Sequence, residues 1–154
     1  MIWMHVRYVI SSVMEKKIRI GVPCLVIKGD TVLLGQSSKE GPQFKQWVIP
    51  GGGVDFCETF EATAKREILE ETGLSIKNIK QFKAYELINT EKGRHLVFVM
   101  HTAEWESGEI TISNESDLFQ AKFLNKEEIK QKFDTGEIDP SGPVAKMLTD
   151  SGWL

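Results

Sequence analysis

The sequence predicts an α/β fold, an α/β/α sandwich around a mixed β-sheet, and three observations support this. β-rich runs lie on both sides of one long helical segment at residues 58–71. Further helical segments follow the last strand, so helices are available for both faces of the sheet. No repeat, low-complexity tract or linker divides the 154 residues, a length that suits one domain. We expect this domain at residues 14–154, preceded at residues 1–13 by an extension or an added strand.

Two strands joined by a turn are expected first. Residues 18–27 are rich in β-branched and apolar residues, which predicts a strand. Pro23 lies inside this run and predicts an edge strand or a bulge, because proline cannot donate to a sheet ladder. Residues 28–30 predict the turn and residues 31–35 the returning strand. Residues 36–46 are expected to form a loop over the mouth of a site.

The central helix has start and stop signals. Glu58 is expected to open it, and strong helix formers follow. Gly73 is expected to end it, where a left-handed residue is favourable.

The second half of the chain is expected to complete the sheet and add two helices. The polar run at residues 89–94 separates two β-rich segments and so predicts a turn between strands. The elements expected here are strands at residues 80–88, 95–104 and 119–124, and helices at residues 126–133 and 144–151.

Three glutamates on the central helix predict a bound cation. Glu67, Glu70 and Glu71 are spaced i, i+3 and i+4, so their carboxylates project from one face. Carboxylates packed this closely repel one another and raise one another's pKa values. Arg66 offsets this charge only in part, because its position favours a pair with Glu58 two turns earlier.

The charge that remains predicts a hard divalent cation with oxygen ligands, Mg²⁺ first and Mn²⁺ second. No cysteine or histidine on this face has a zinc-like spacing. The turn at residues 50–53 lets the backbone approach the carboxylates, so a carbonyl can add a ligand. Mg²⁺ held by few carboxylates usually also binds substrate phosphates. The pattern therefore predicts water attack on phosphorus by a phosphoanhydride hydrolase.

Residues 52–74 resemble the signature of the Nudix hydrolase family, of the MutT type. They match G-x5-E-x7-R-E-U-x-E-E-x-G-U, with U aliphatic, at every specified position. Residues 47–51 look like the lead-in strand of this signature. The resemblance implies a Mg²⁺-dependent nucleotide pyrophosphohydrolase that cleaves a nucleoside diphosphate linked to a moiety X.

The resemblance also implies roles for individual residues. It implies metal binding by Gly52, Glu67, Glu70 and Glu71, with Glu67 and Glu71 as the principal ligands. Glu58 and Arg66 resemble the pair that braces the helix in the family.

The general base has several candidates. Some family members use a glutamate from a late loop, and here residues 114–117 supply Glu115 and Asp117. If that loop does not reach the metal, Glu67 or Glu70 has to take the proton. We expect the base to be Glu70 or Glu115.

The substrate is predicted by exclusion. ADP-ribose hydrolases of the family tend to carry a proline beyond the signature, and residues 87–90 contain none. Diadenosine-polyphosphate members tend to have a tyrosine slightly later, and residues 90–92 contain none. With these two subfamilies excluded, the sequence resembles the group that cleaves nucleoside or deoxynucleoside triphosphates to monophosphate and pyrophosphate. The alternatives are a nucleotide-sugar or dinucleoside-polyphosphate hydrolase, an RNA 5′-end (cap or pyrophosphate) hydrolase, and a catalytically silent nucleotide-binding module.

Substrate contacts are expected from the loop that enters the signature. Phe44 and Trp47 are candidates for base stacking, and Lys45 is a candidate for a phosphate contact. Phe98 and Trp105 are further aromatic candidates on the later strands.

Composition narrows the partners. A net charge of -3 gives no electrostatic footprint for nonspecific nucleic-acid binding, although it leaves a local basic groove open. The resemblance to the family implies a small-molecule nucleotide as the partner. Cys24 and Cys57 have neither metal nor redox spacing, which favours reduced cysteines and a cytoplasmic protein. The apolar stretch at residues 1–13 is short and contains His5 and Arg7, so neither a signal peptide nor a membrane span is expected. Its apolar residues make a homodimer a further expectation.

Overall fold

A seven-stranded sheet with three helices makes up the described part of this computed structural model, residues 17–154. The extension or added strand expected at residues 1–13 lies outside the described residues. The strands are β1 Ile18–Lys28, β2 Thr31–Ser37, β3 Trp47–Val48, β4 Gly51–Gly53, β5 Ser75–Asn89, β6 Arg94–Ser107 and β7 Leu118–Leu124. The helices are α1 Phe60–Thr72, α2 Lys126–Asp134 and α3 Pro143–Asp150.

The sheet is mixed, with β1 at its centre. The strand order is β3-β2-β1-β6-β5, with β4 also paired to β1 and β7 also paired to β2. β1 and β6 are parallel, whereas the other pairs are antiparallel. A parallel pair needs a long crossover connection, and here the crossover contains α1.

Apolar side chains form one cluster on each face of the sheet. Leu25 of β1 packs in a cluster with Ile129 of α2 and Leu148 of α3. Val26, the next residue of β1, packs in the other cluster with Ile68 of α1. This alternation buries one face of the sheet under α1 and the other under α2 and α3. The predicted α/β/α sandwich is confirmed. Within residues 17–154, every helix is too short or too polar to cross a membrane.

Pro23 lies in the central strand, so the predicted edge strand or bulge is wrong. Along one edge, β1 pairs with β4 at Pro23 and then with β2 at Ile27 and Lys28. The register with β6 is the same before and after the proline. The missing N–H of Pro23 is tolerated because the pairing of β1 with β4 ends at this residue and the pairing with β2 begins only later.

The ends of α1 were predicted almost correctly. Gly73 ends the helix as predicted, with a left-handed φ of 74° and an N–H that donates to Leu69 O at 2.9 Å. The helix begins one residue after Thr59, whose hydroxyl accepts the Ala62 N–H at 3.1 Å. Thr59 is therefore the N-cap, and Glu58 precedes the helix instead of opening it.

Candidate active site

Arg66 and Glu58 form the bracing pair that the sequence predicts. The Nε and Nη2 atoms of Arg66 donate to the two carboxylate oxygens of Glu58, each at 2.8 Å. Nη2 also donates to the carbonyl of Gly53 at 3.1 Å, which ties α1 to β4. The hydrogen bonds from Arg66, with a further one from Thr63, lower the pKa of Glu58 to about 2.

Arg66 also donates to the carboxylate cluster, whereas its position in the sequence favoured the pair with Glu58. Its Nη1 atom donates to Glu67 at 2.7 Å and to Glu70 at 3.3 Å. A guanidinium carries N–H donors along two edges, so one arginine can bind Glu58 and the cluster at once. Arg66 is consequently the main cation among the acidic side chains of this helix.

Glu71 is the buried member of the cluster. Its side chain accepts the Gly51 N–H at 3.0 Å, and the residue is 8% exposed. Burial raises the pKa of Glu71 to about 7, although the hydrogen bond from Gly51 opposes the rise. Charges on Lys39 and Asp117 also act on Glu71, so both side chains lie near it.

Glycines of β4 allow the cluster to approach the backbone. A Cβ atom at Gly52 would overlap the carboxylate of Glu67, so this carboxylate lies directly against the Gly52 backbone. Gly51 has a φ of 151°, and a Cβ there would overlap the carbonyl of Val22. Only glycine fits these two positions without movement of a neighbour.

A cavity of about 360 Å³ begins at this cluster. Gly51, Gly52, Gly53 and Glu71 line one end, with Lys39 and Asp117 nearby. Gly21 and Phe98, partners in the β1–β6 ladder, line the sheet side. Pro143, Val144 and Met147 of α3 line it from the helix side. The cavity therefore joins a carboxylate-rich end to an apolar slot that contains an aromatic ring.

A family model described as the NUDIX domain matches residues 17–142. The chain belongs to the Nudix family. Among curated relatives, the NAD-capped RNA hydrolase NudC of Haemophilus influenzae is 31% identical over 126 residues, which cover 80% of this chain and 43% of the relative. The NudC of Photobacterium profundum is 29% identical over 131 residues, which cover 83% of this chain and 44% of the relative. This chain thus spans less than half the length of these two curated relatives.

Solved structures of the Nudix family share the fold. A NUDIX hydrolase from Nitrosomonas europaea aligns with a TM-score of 0.74 and 20% identity, covering 88% of this chain and 89% of that chain. The MutT protein of Bacillus halodurans aligns with a TM-score of 0.61 and 27% identity, covering 73% of this chain and 72% of that chain. The family match, with the MutT neighbour at 27% identity, indicates a hydrolase of the Nudix type.

The predicted metal ligands of this Nudix chain offer oxygen donors only, which suits the hard divalent cations that the family uses. Within residues 17–154, no three Asp, Glu, His or Cys side chains are grouped as a metal site. Arg66 holds Glu67 and Glu70, whereas Gly51 holds Glu71, so the carboxylates point to different partners. These oxygen donors fit a hard divalent cation. To bind one ion together, Glu67 and Glu70 would have to rotate away from Arg66.

The three predicted substrate contacts lie outside the cavity lining. Trp47 is 2% exposed, and its Nε1 donates to Glu137 at 3.2 Å, so it is a core residue and base stacking by Trp47 is a wrong prediction. Phe44 packs edge-on against Phe119 with ring centroids 5.7 Å apart. The Lys45 Nζ atom lies 5.4 Å from the centroid of the Phe44 ring. Among the aromatic candidates, Phe98 is the one that lines the cavity.

The late loop brings Asp117, and not Glu115, to the cavity. Asp117 lines it and pairs with Lys39 at 2.8 Å, while Glu115 is exposed and outside the lining. The Asp117 carbonyl also accepts the Ser38 N–H at 2.8 Å, which fixes this residue beside β2. Lys39 was not among the residues predicted from the sequence, and Glu115 was preferred there to Asp117. The sequence offered one indication in favour of Asp117. This residue lies just before a predicted strand, and the adjacent strand of the sheet holds the backbone at such a position.

Proposed function

We propose that this chain hydrolyses a phosphoanhydride bond in a nucleoside diphosphate linked to a moiety X. A nucleoside or deoxynucleoside triphosphate, giving monophosphate and pyrophosphate, is the first candidate. The observation that carries the proposal is the cavity, which runs from Glu71 and the β4 glycines to Phe98 and α3. Its volume of about 360 Å³ lies in the lower part of the range for small-molecule sites, and it favours one nucleoside over two.

In this proposal the two ends of the cavity bind different parts of the nucleotide. The base stacks on Phe98 under the apolar side of α3, and the phosphates lie over the glycines of β4. Glycine backbone leaves room for phosphate oxygens, and Lys39 supplies a positive charge beside them. A bound Mg²⁺, or Mn²⁺ in its place, would supply charge neutralisation on the phosphates and a lower pKa for an attacking water.

Four residues are proposed to hold the cation. They are Glu67, Glu70 and Glu71 through their carboxylates and Gly52 through its carbonyl. Arg66 and Glu58 hold α1 against β4 and so keep the carboxylates at the glycine turn. When Glu67 is released from Arg66, the guanidinium still donates to Glu58 and to the Gly53 carbonyl, which keeps Arg66 in place.

A carboxylate must take the proton as water attacks phosphorus and the bond to the leaving oxygen breaks. We propose Asp117 for this step in preference to Glu115 and Glu70. Asp117 lines the cavity, whereas the Glu70 carboxylate lies outside the lining and is held by Arg66. Asp117 pairs with Lys39 at 2.8 Å, and the charges of both residues act on Glu71, so this carboxylate lies near the buried acid.

A second candidate is favoured by the curated relatives, which are named NAD-capped RNA hydrolases. A dinucleotide pyrophosphate, free or at an RNA 5′ end, has the same phosphoanhydride bond as the first candidate. The larger leaving group would extend past Lys39 towards the exposed pair Phe44 and Phe119. A catalytically silent nucleotide-binding module is the least favoured alternative, because every acidic position of the signature is retained.

A substrate panel tests the proposal. The full chain with Mg²⁺ or Mn²⁺ would be given nucleoside and deoxynucleoside triphosphates, nucleotide sugars, dinucleoside polyphosphates, NAD and NAD-capped or triphosphorylated RNA. Products would be separated by chromatography, which distinguishes pyrophosphate from phosphate release. We expect triphosphates to give monophosphate and pyrophosphate with the highest kcat/KM. A higher kcat/KM for NAD or capped RNA would select the second candidate, and no turnover of any compound would contradict both.

A further inference from the structure

Arg19 lies on the sheet side of the cavity, at the end away from the carboxylates. Successive side chains of a strand point to opposite faces, so Arg19, Gly21 and Pro23 of β1 share one face. On β6, Leu96 pairs with Arg19 and Phe98 pairs with Gly21. All five of these residues line the cavity.

The position of Arg19 relative to the reaction end follows from the strand register. Pro23 pairs with Gly51 of β4, next to the glycine that faces Glu67. Arg19 lies four residues earlier on β1, about 13 Å away at a strand rise of roughly 3.3 Å per residue. This separation is comparable with the length of a nucleotide from its phosphate to the far edge of its base. Phe98 lies between the two ends, beneath Gly21.

The guanidinium of Arg19 is available for a ligand. Within residues 17–154, Arg19 is exposed and makes no side-chain hydrogen bond, ion pair or ring contact. Arg66, by contrast, has its donors occupied by carboxylates and a backbone carbonyl. Among the described residues the guanidinium donors of Arg19 are thus unpaired, and they line the same cavity as Phe98, where a base can stack.

We propose that Arg19 selects guanine nucleotides as the substrates of this site, an inference that rests on the proposed function. Guanine presents two adjacent acceptors, O6 and N7, which match two N–H donors of a guanidinium. Adenine presents an amino donor in place of O6, so the same fork can form only one of the two hydrogen bonds. Phe98 stacks on any base, and Arg19 distinguishes between bases.

The test compares kcat/KM for GTP, ITP, ATP and 7-deaza-GTP in the wild type and in Arg19→Ala. ITP keeps O6 and N7, whereas 7-deaza-GTP lacks N7. We expect the wild type to favour GTP and ITP by about ten- to a hundredfold, the discrimination typical of one bidentate arginine contact. Arg19→Ala should remove this preference by raising KM for GTP and ITP, with kcat unchanged.

Two further variants make the readout specific. Arg19→Lys keeps the charge without the planar fork and should lose most of the preference for GTP over 7-deaza-GTP. Arg94→Ala is the matched control, because Arg94 is an exposed arginine at the start of β6 that does not line this cavity. It should retain the preference of the wild type.

An equal loss on all four triphosphates in Arg19→Ala would overturn the inference, and so would a wild type without base preference. Failure of the proposed function itself would be recognised separately, as absence of turnover on every triphosphate. In that case the binding of GMP and AMP, measured by calorimetry, still tests Arg19. Tighter binding of GMP that Arg19→Ala abolishes would support the assignment, and equal binding would contradict it.

Discussion

Arg66 donates two hydrogen bonds of 2.8 Å to the two carboxylate oxygens of Glu58, and it keeps this pair while also binding Glu67. Glu58 precedes α1 and Arg66 lies in its middle, so the pair closes the loop between β4 and the helix. A bidentate charged pair with little exposure is far stronger than an ordinary surface ion pair. We therefore expect Glu58 to act on the position of the helix and not on the substrate.

Glu58→Gln should lower stability in a pH-dependent way. The folded-state pKa of Glu58 is about 2, against an ordinary value of 4.5, so ionised Glu58 stabilises the folded state above pH 4.5. This contribution is lost as the pH falls from 4.5 towards 2. We expect the difference in unfolding free energy between wild type and Glu58→Gln to be full at pH 7 and to shrink below pH 4.5. Urea denaturation across this range measures it, and a pH-independent difference would contradict the assignment.

Glu71→Gln should abolish most activity and leave the fold intact. The glutamine oxygen can still accept the Gly51 N–H, so the contact at 3.0 Å survives. The lost negative charge removes a proposed metal ligand, and we expect kcat to fall on the order of 10²–10³-fold. Glu61→Gln is the control, because Glu61 lies on the same helix and pairs only with exposed Lys65. Equal activity of the two variants would remove Glu71 from the metal site.

Asp117→Asn and Glu115→Gln separate the two late-loop candidates for the general base. Asp117 lines the cavity and Glu115 does not, so we expect Asp117→Asn to lower kcat by roughly 10²–10⁴-fold. Glu115→Gln should stay within about twofold of the wild type, as for a solvated residue. The measurement is kcat at saturating substrate with folding checked by circular dichroism. The opposite ranking would restore Glu115.

Alanine at the two neighbouring glycines should have different effects. At Gly52 the new Cβ meets the end of the flexible Glu67 side chain, which can rotate away, so the protein should fold but lose activity. At Gly51 it meets the backbone of Val22 with φ at 151°, so we expect a loss of about 2 kcal/mol or more of unfolding free energy. Thermal unfolding and kcat/KM together test the pair. A stable, active Gly52→Ala would show that Glu67 need not contact this backbone.

Cys57→Gly should stabilise the protein. Cys57 has a φ of 66°, which costs a residue with a Cβ roughly 1–2 kcal/mol, and part of this is offset by the greater freedom of glycine in the unfolded chain. We expect a net gain of about 0.5–1 kcal/mol, measured by urea denaturation. Cys57→Ser keeps the strained backbone and removes the thiol, so it should show no gain. A gain in the serine variant would assign the effect to the sulfur.

The sequence predicted the parts of the site that depend on local spacing. The Arg66–Glu58 pair follows from two turns of helix, and Gly73 follows from the need for a left-handed residue. What it missed depends on contacts between distant segments. Trp47 is buried because it belongs to the apolar cluster that contains residues of α2 and α3, and Glu137 of a much later segment accepts its indole N–H; no local pattern shows either contact.

The same limit applies to the choice between late-loop acids and to Pro23. Asp117 faces the cavity because Lys39 and Ser38 of the loop after β2 hold it. Pro23 is tolerated in a central strand because β4 and β2 share one edge of β1. Both facts concern which strand lies beside which, and residue composition within one strand does not determine that.

The parallel pairing of β1 with β6 joins segments that are distant in the sequence. Ile18 pairs with His95, so every residue of the signature lies inside the chain loop that this pairing closes. Closing so long a chain loop lowers the conformational entropy of the chain before the contacts between the strands form, and this slows folding. During synthesis the acidic helix will have left the ribosome well before β6 is available to complete the sheet. We therefore expect the proposed metal-binding carboxylates to be assembled among the last steps of folding, although their sequence is contiguous.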